Sequence, residues 1–169
     1  AASDVYERKL QTTEPTILFV LEQTDGGGTW KAAQTTRTPF GRGDVGRLLL
    51  AIENTGLAIT NQQFLLEYAP LAAAPSCEAV SPSSYIPVPL QSSCGTSPVC
   101  MQSSTFYTNG ASTIDLLFGT RGLFSAGEAR EDPSNITGSL NVGQNQYTEL
   151  EFAITPTVNV IDEDLCFRV

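Results

Sequence analysis

Period-two alternation dominates the chain, and no stretch carries a convincing helical period. From Tyr147 to Thr155, Leu150, Phe152 and Ile154 fall on one side, and Glu149, Glu151 and Ala153 on the other. This predicts a half-buried antiparallel strand with an acidic outer face. Gln63 to Ala69 repeats the pattern with Phe64, Leu66 and Tyr68 inward. Arg47 to Asn54 places Leu48, Leu50 and Ile52 inward and stops at the turn signal Asn54-Thr55-Gly56. Thr16 to Glu22 reads as an apolar strand ending at Asp25-Gly26-Gly27-Gly28. Thr113 to Phe118 sets Ile114, Leu116 and Phe118 on one face, and Leu165, Phe167 and Val169 alternate near the end. Gly138 to Val142 adds a short edge strand. Gly, Pro, Asn and Ser clusters separate these segments, so the expected fold is all-β, two antiparallel sheets packed as a sandwich.

Two stretches depart from the alternation. Leu71 to Ser112 holds five prolines and three of the four cysteines. Pro82, Pro87 and Pro89 forbid a central strand there. The expectation is a long ordered excursion pinned by disulfides, because a structureless loop of that length is unusual in a compact domain. Residues 1–13, AASDVYERKLQTT, form a polar extension with weak alternation, Tyr6, Arg8 and Leu10 against Val5, Glu7 and Lys9. It reads either as a frayed terminus or as a strand that pairs elsewhere. The division expected is an extension over 1–13 and one β-domain over 14–169.

Composition narrows the chemistry. The 169 residues include no histidine, which removes Ser-His-Asp and Cys-His nucleophile pairs and HExxH zinc sites. Nine basic residues face 18 acidic ones, for a net charge of -9, so no nucleic-acid surface is expected. Apolar runs such as Ile17 to Leu21 are far shorter than the about 20 residues of a membrane span. No membrane insertion, no cofactor and no enzymatic activity are expected.

Cys77, Cys94, Cys100 and Cys166 form no CxxC pair. A zinc site of four thiolates usually has two close pairs, and here only Cys94 and Cys100 are close. Two disulfides are the better reading, and they imply an oxidising compartment. Three pairings are possible. The one preferred combines a local Cys94–Cys100 loop with a long-range Cys77–Cys166 staple. Closing a loop of roughly 90 residues stabilises by on the order of 4 kcal/mol in the chain-entropy model. The chain begins Ala1-Ala2-Ser3, which is read as what remains after signal-peptide cleavage. Asn135-Ile136-Thr137 is an acceptor sequon for N-glycosylation.

Other short signals are weighed against plainer readings. Arg42-Gly43-Asp44 suits integrin adhesion, but also a simple turn entering the Arg47 strand. The acids at Glu128-Ala129-Arg130-Glu131-Asp132 and Asp162-Glu163-Asp164, with Asp25, offer hard oxygen ligands without EF-hand spacing. A solvated acidic surface is the expectation, with no metal. Paired carboxylates also serve glycoside hydrolysis, yet no aromatic-rich cleft accompanies them, and Trp30 is the one tryptophan. No spacing singles out an isopeptide partner for Lys9 or Lys31.

An ordered set of short motifs runs through most of the chain. Ile17-Leu18-Phe19-Val20-Leu21-Glu22 is followed by Ala32-Ala33-Gln34-Thr35, and then by Arg47 to Asn54. Gln63-Phe64-Leu65-Leu66-Glu67-Tyr68-Ala69 precedes Cys77. Asp132-Pro133-Ser134-Asn135, the strand with Glu149, Glu151, Phe152 and Ala153, and Cys166-Phe167-Arg168-Val169 complete it. In this order the chain resembles a poorly characterised family of bacterial surface β-sandwich domains found in secreted proteins. The resemblance implies Ig-like architecture, pairing of Cys77 with Cys166, and no catalytic residues. In that family the Cys-Phe-Arg-Val strand leads into one further strand, whereas this sequence stops at Val169. The resemblance therefore implies a sheet lacking its last strand, with an unpaired edge.

The extension and the missing strand answer each other. Residues near Asp4 to Thr12 of one copy, with Val5, Tyr6, Arg8 and Leu10 setting register, would fill the gap of the next. A head-to-tail contact that does not close makes a filament. The expected role is an extracellular structural subunit that polymerises with itself. The alternative is a secreted adhesion or carbohydrate-binding module.

Overall fold

The computed structural model describes residues 17–22, 29–30, 43–116, 122–159 and 164–169, with the first two segments as backbone. The expected donor residues Val5, Tyr6, Arg8 and Leu10 lie outside them, as do Asp25, Lys31, Arg42, Phe118, Asp162 and Glu163.

The described chain is all-β with three short 3-10 turns. Its strands are β1 (Ile17–Glu22), β2 (Thr29–Trp30), β3 (Val45–Asn54), β4 (Ile59–Gln62), β5 (Glu67–Pro70) and β6 (Ile86–Pro87). After them come β7 (Val99–Met101), β8 (Leu123–Phe124), β9 (Ala129–Arg130), β10 (Leu140–Val142), β11 (Gln146–Pro156) and β12 (Leu165–Arg168). The first sheet runs β2-β1-β3-β11, and the far edge of β11 takes β8, β9 and β7 in succession. β10-β4 and β12-β5-β6 form two smaller sheets.

β3 and β11 carry the frame. They pair antiparallel from Asn54 opposite Gln146 to Gly46 opposite Ile154, so Leu50 faces Leu150 and Leu48 faces Phe152. Cross-strand pairs of this kind are the unit of sheet stability. Their inward side chains, with Ile52 and Ile154, meet Phe64, Leu66, Tyr68, Val88, Phe167 and Val169 from the smaller sheets in one core. Phe64 and Phe152 are among its largest fully buried side chains, each worth about 1.5–3 kcal/mol of burial.

Asn54 explains why β3 stops where it does. Its side chain is fully buried, with Nδ2 at 2.8, 3.0 and 3.1 Å from the carbonyls of Leu57, Val142 and Gly143. Its Oδ1 accepts the Gly56 N–H at 3.0 Å. One amide thus ties two turns together. The sequence reads this residue as a turn signal; the structure makes it an internal strut as well.

Three expectations need correction. Thr113 to Leu116 is not a strand: Ser112 makes an isolated bridge to Glu128, Ile114 is exposed, and Leu116 packs on Leu49 and Ala51. Gln63 to Ala69 is not one continuous strand, since Leu65 pairs singly with Ile136 before β5 begins. The 71–112 excursion is ordered and disulfide-pinned, as expected, and adds two short strands, β6 and β7, at sheet margins. Finally, the acidic face of β11 is not solvated. Glu149 and Glu151 are 0% and 7% exposed, because residues 106–116 lie across that face.

Beneath this cover Arg47 and Glu151 pair at 2.9 Å, and the Phe106 ring lies 3.6 Å from the guanidinium carbon. Glu149 accepts the Leu116 N–H at 3.0 Å, and its carbonyl accepts the Thr113 hydroxyl at 2.7 Å. The Glu149 carboxylate therefore anchors the covering segment, while that of Glu151 holds Arg47 beneath the Phe106 ring.

Candidate functional site

The strongest candidate is a strand edge at Leu65, between the two smaller sheets in sequence. After the irregular pairing of Ile59 and Gln62 with β10, where Asn61 has a φ of 55°, the stretch 64–70 alternates its backbone groups between two sides, as antiparallel pairing does. One side is filled. Leu66 N–H donates to Asn135 O at 2.9 Å, and Thr137 N–H donates to Phe64 O at 2.9 Å. Val88 N–H then donates to Leu66 O at 3.0 Å, and β6 pairs with Glu67 and Tyr68.

The other side is filled over β5, where Arg168 pairs with Glu67 and Cys166 with Ala69. It is open at Leu65. The Leu65–Ile136 bridge is a non-hydrogen-bonded pair, so the N–H and C=O of Leu65 point away from Ile136. Among the described residues they take no hydrogen bond. This gap lies in line with β12, just beyond the partner position of Arg168.

The surroundings hold the edge in place. Asn135 Nδ2 donates to Val88 O at 2.7 Å. The Thr137 hydroxyl accepts the Phe64 N–H at 2.9 Å and donates to Gly138 O at 2.9 Å, with the residue 1% exposed. The Thr137 side chain thus ties residues 135–137 to the strand at Phe64, and the Asn135 side chain ties them to Val88. A glycan on Nδ2 would have to share the nitrogen that holds Val88. Thr137→Val keeps the shape but orphans the Phe64 N–H; the expected loss is about 1–3 kcal/mol in urea denaturation, with Thr137→Ser close to wild type.

Behind β5 and β12 sits a second, smaller apolar cluster. Ala69, Val80 and Cys166 are buried, with Leu71, Ala74, Cys77 and Tyr85 packed around them. The Cys77–Cys166 disulfide crosses it, with the Cα atoms 5.5 Å apart. Arg168 Nε bonds Glu67 at 2.7 Å and stacks over the Tyr85 ring at 4.2 Å. Tyr85 donates its hydroxyl to Cys77 O at 3.2 Å. Burial pushes the Tyr85 phenol above its usual pKa, against the opposing pull of Arg168. A second disulfide joins Cys94 and Cys100.

The acids of the Glu128 to Asp132 run act internally. Glu128 accepts from Arg130 and from the Gly138 N–H at 2.7 Å. Glu131 accepts the Ser104 N–H at 2.5 Å, and Asp132 the Gln91 N–H at 2.7 Å. The expected solvated cluster is instead a set of backbone tethers for loops. Among the described residues no three potential ligands gather as for a metal ion, and no helix is long and apolar enough to cross a membrane. Gly43 of the Arg-Gly-Asp tripeptide is exposed in the left-handed region, φ 78°, as a turn before β3 requires.

No protein-family model, no curated protein and no solved structure matches the chain.

Proposed function

We propose that the chain is an exported Ig-like β-sandwich that serves as a structural subunit of an extracellular filament or layer. Subunits join by strand exchange, with residues 4–12 of one copy entering the edge beside Leu65 of the next. The unbonded Leu65 backbone, in line with β12, is the observation that carries this reading. An added strand would supply main-chain hydrogen bonds there, and its alternate side chains, Tyr6, Arg8 and Leu10, would set the register. The two disulfides suit an oxidising compartment outside the cytoplasm. A donor and an acceptor on different surfaces of one subunit make a head-to-tail contact, which propagates as a fibre unless the rotation closes it.

The test uses Leu65→Cys combined in turn with Tyr6→Cys, Arg8→Cys and Leu10→Cys. The expected result is a ladder of covalent multimers on a non-reducing gel, and threads by negative-stain microscopy that vanish when residues 1–13 are deleted. A cross-link confined to monomers would mean that the tail fills its own edge. That result, or the absence of any cross-link, overturns the reading.

A further inference from the structure

We infer that the Cys77–Cys166 bond is the switch that creates the assembly edge, so that only the oxidised chain is competent to polymerise. This rests on the reading just given. β12 is four residues long and supplies the line that the incoming strand continues. It is held by its ladder to β5, by Arg168 between Glu67 and the Tyr85 ring, by the side chains of Phe167 and Val169 in the main core, and by the segment 71–85 folded over its back.

That segment has little stability of its own. It contains two three-residue 3-10 turns, Cys77–Ala79 and Pro82–Ser84, neither with a side-chain cap. Such short turns do not persist alone. The buried side chains it shares with the sheet are Ala69, Val80 and Cys166, all small, against the Phe and Leu of the main core. Small side chains remove little apolar area from water. The bond joins residues 89 apart in sequence, so no local geometry keeps them together once it is broken.

The redox step balances simply. Cys77 and Cys166 as thiols give up two electrons and two protons to an exchange partner carrying a disulfide, which leaves as a dithiol. A dithiol reductant reverses this. In a reducing compartment β12 and its cover would be loosely held, and the edge beside Leu65 would lose its flank. Premature assembly before export is thereby prevented.

The experiment compares wild type, Cys77→Ser/Cys166→Ser and Cys94→Ser/Cys100→Ser by hydrogen exchange and by microscopy. In Cys77→Ser/Cys166→Ser, exchange in 164–169 and 67–70 should accelerate about tenfold or more, while 46–52 and 148–154 stay protected, as for local opening. Threads should form from wild type and from Cys94→Ser/Cys100→Ser, and not from Cys77→Ser/Cys166→Ser. Unchanged protection in 164–169 overturns the inference. So does loss of protection throughout, because the bond would then hold the whole fold and not the edge. Threads from Cys77→Ser/Cys166→Ser overturn it while leaving strand exchange standing. If wild type forms no threads, strand exchange fails, and the exchange pattern alone still decides whether the bond governs β12.

Discussion

Glu151→Ala should lower the stability of the fold by about 3–5 kcal/mol, the cost of stranding one charge of a buried pair. Arg47 and Glu151 are 4% and 7% exposed, and their charged ends are 2.9 Å apart. Removing the carboxylate leaves a buried guanidinium beneath the Phe106 ring without its charged partner. Removing both charges is a different experiment. Arg47→Met with Glu151→Met replaces the pair by apolar bulk, and it should recover most of the loss, because the desolvation cost disappears along with the attraction. Urea denaturation of the two single variants and the double variant gives the coupling. A single-variant loss below about 1 kcal/mol is what a solvated pair would show. It would mean that residues 106–116 are not seated on this face.

Gly127→Ala is the second large effect, expected at about 3 kcal/mol, the upper end for overpacking. A Cβ there would stand 2.1 Å from the Glu149 carbonyl oxygen and 2.6 Å from the Thr148 hydroxyl. The carbonyl belongs to β11, locked in its ladder with β3, and cannot retreat. Gly127 also donates to the Thr113 hydroxyl at 2.9 Å, and its carbonyl accepts the Thr113 N–H at 3.2 Å. A displaced Gly127 therefore carries the covering loop with it. Gly138→Ala is the contrast. Its nearest neighbours are the Glu128 carboxylate at 2.9 Å and an Arg130 nitrogen at 3.2 Å, both ends of side chains able to swing. Less than half the cost of Gly127→Ala is expected there. Denaturation midpoints for the pair, with exchange rates across 111–130, distinguish a lifted cover from a general softening.

The main frame was legible because alternation marks whichever face meets the core. Leu48, Leu50 and Ile52 pack against Leu150, Phe152 and Ile154 as their spacing predicts. The short element near Gly138 is present as β10, and Leu165 onward is β12. The outer face was misread because period two separates two sides without saying what lies beyond either. Glu149 and Glu151 are polar, so they read as wetted, yet a segment from 33 or more positions away covers Glu149. One signal was available. β3 runs Leu48-Leu49-Leu50-Ala51-Ile52 with apolar residues on both sides, and strands buried on both faces read this way. The fate of 113–116 was not legible, since Ile114 and Leu116 alternate as a strand would while the backbone is committed to Glu149 and Gly127. The gap at Leu65 was not read from the sequence, which led only to the expectation of a missing strand after Cys166 to Val169. The gap depends on how Ile136 and Val88 share one flank of the same strand, which no local pattern encodes.

The patchwork along β11 has a bearing on misassembly. An 11-residue strand with Leu150, Phe152 and Ile154 along its inward face presents a long edge to any chain able to pair with it. Here β3 occupies one margin, and clips of two, two and three residues, β8, β9 and β7, tile the other. A foreign chain thus finds no uninterrupted template along β11. Three separate parts of the chain share the task of blunting that margin against edge-to-edge pairing.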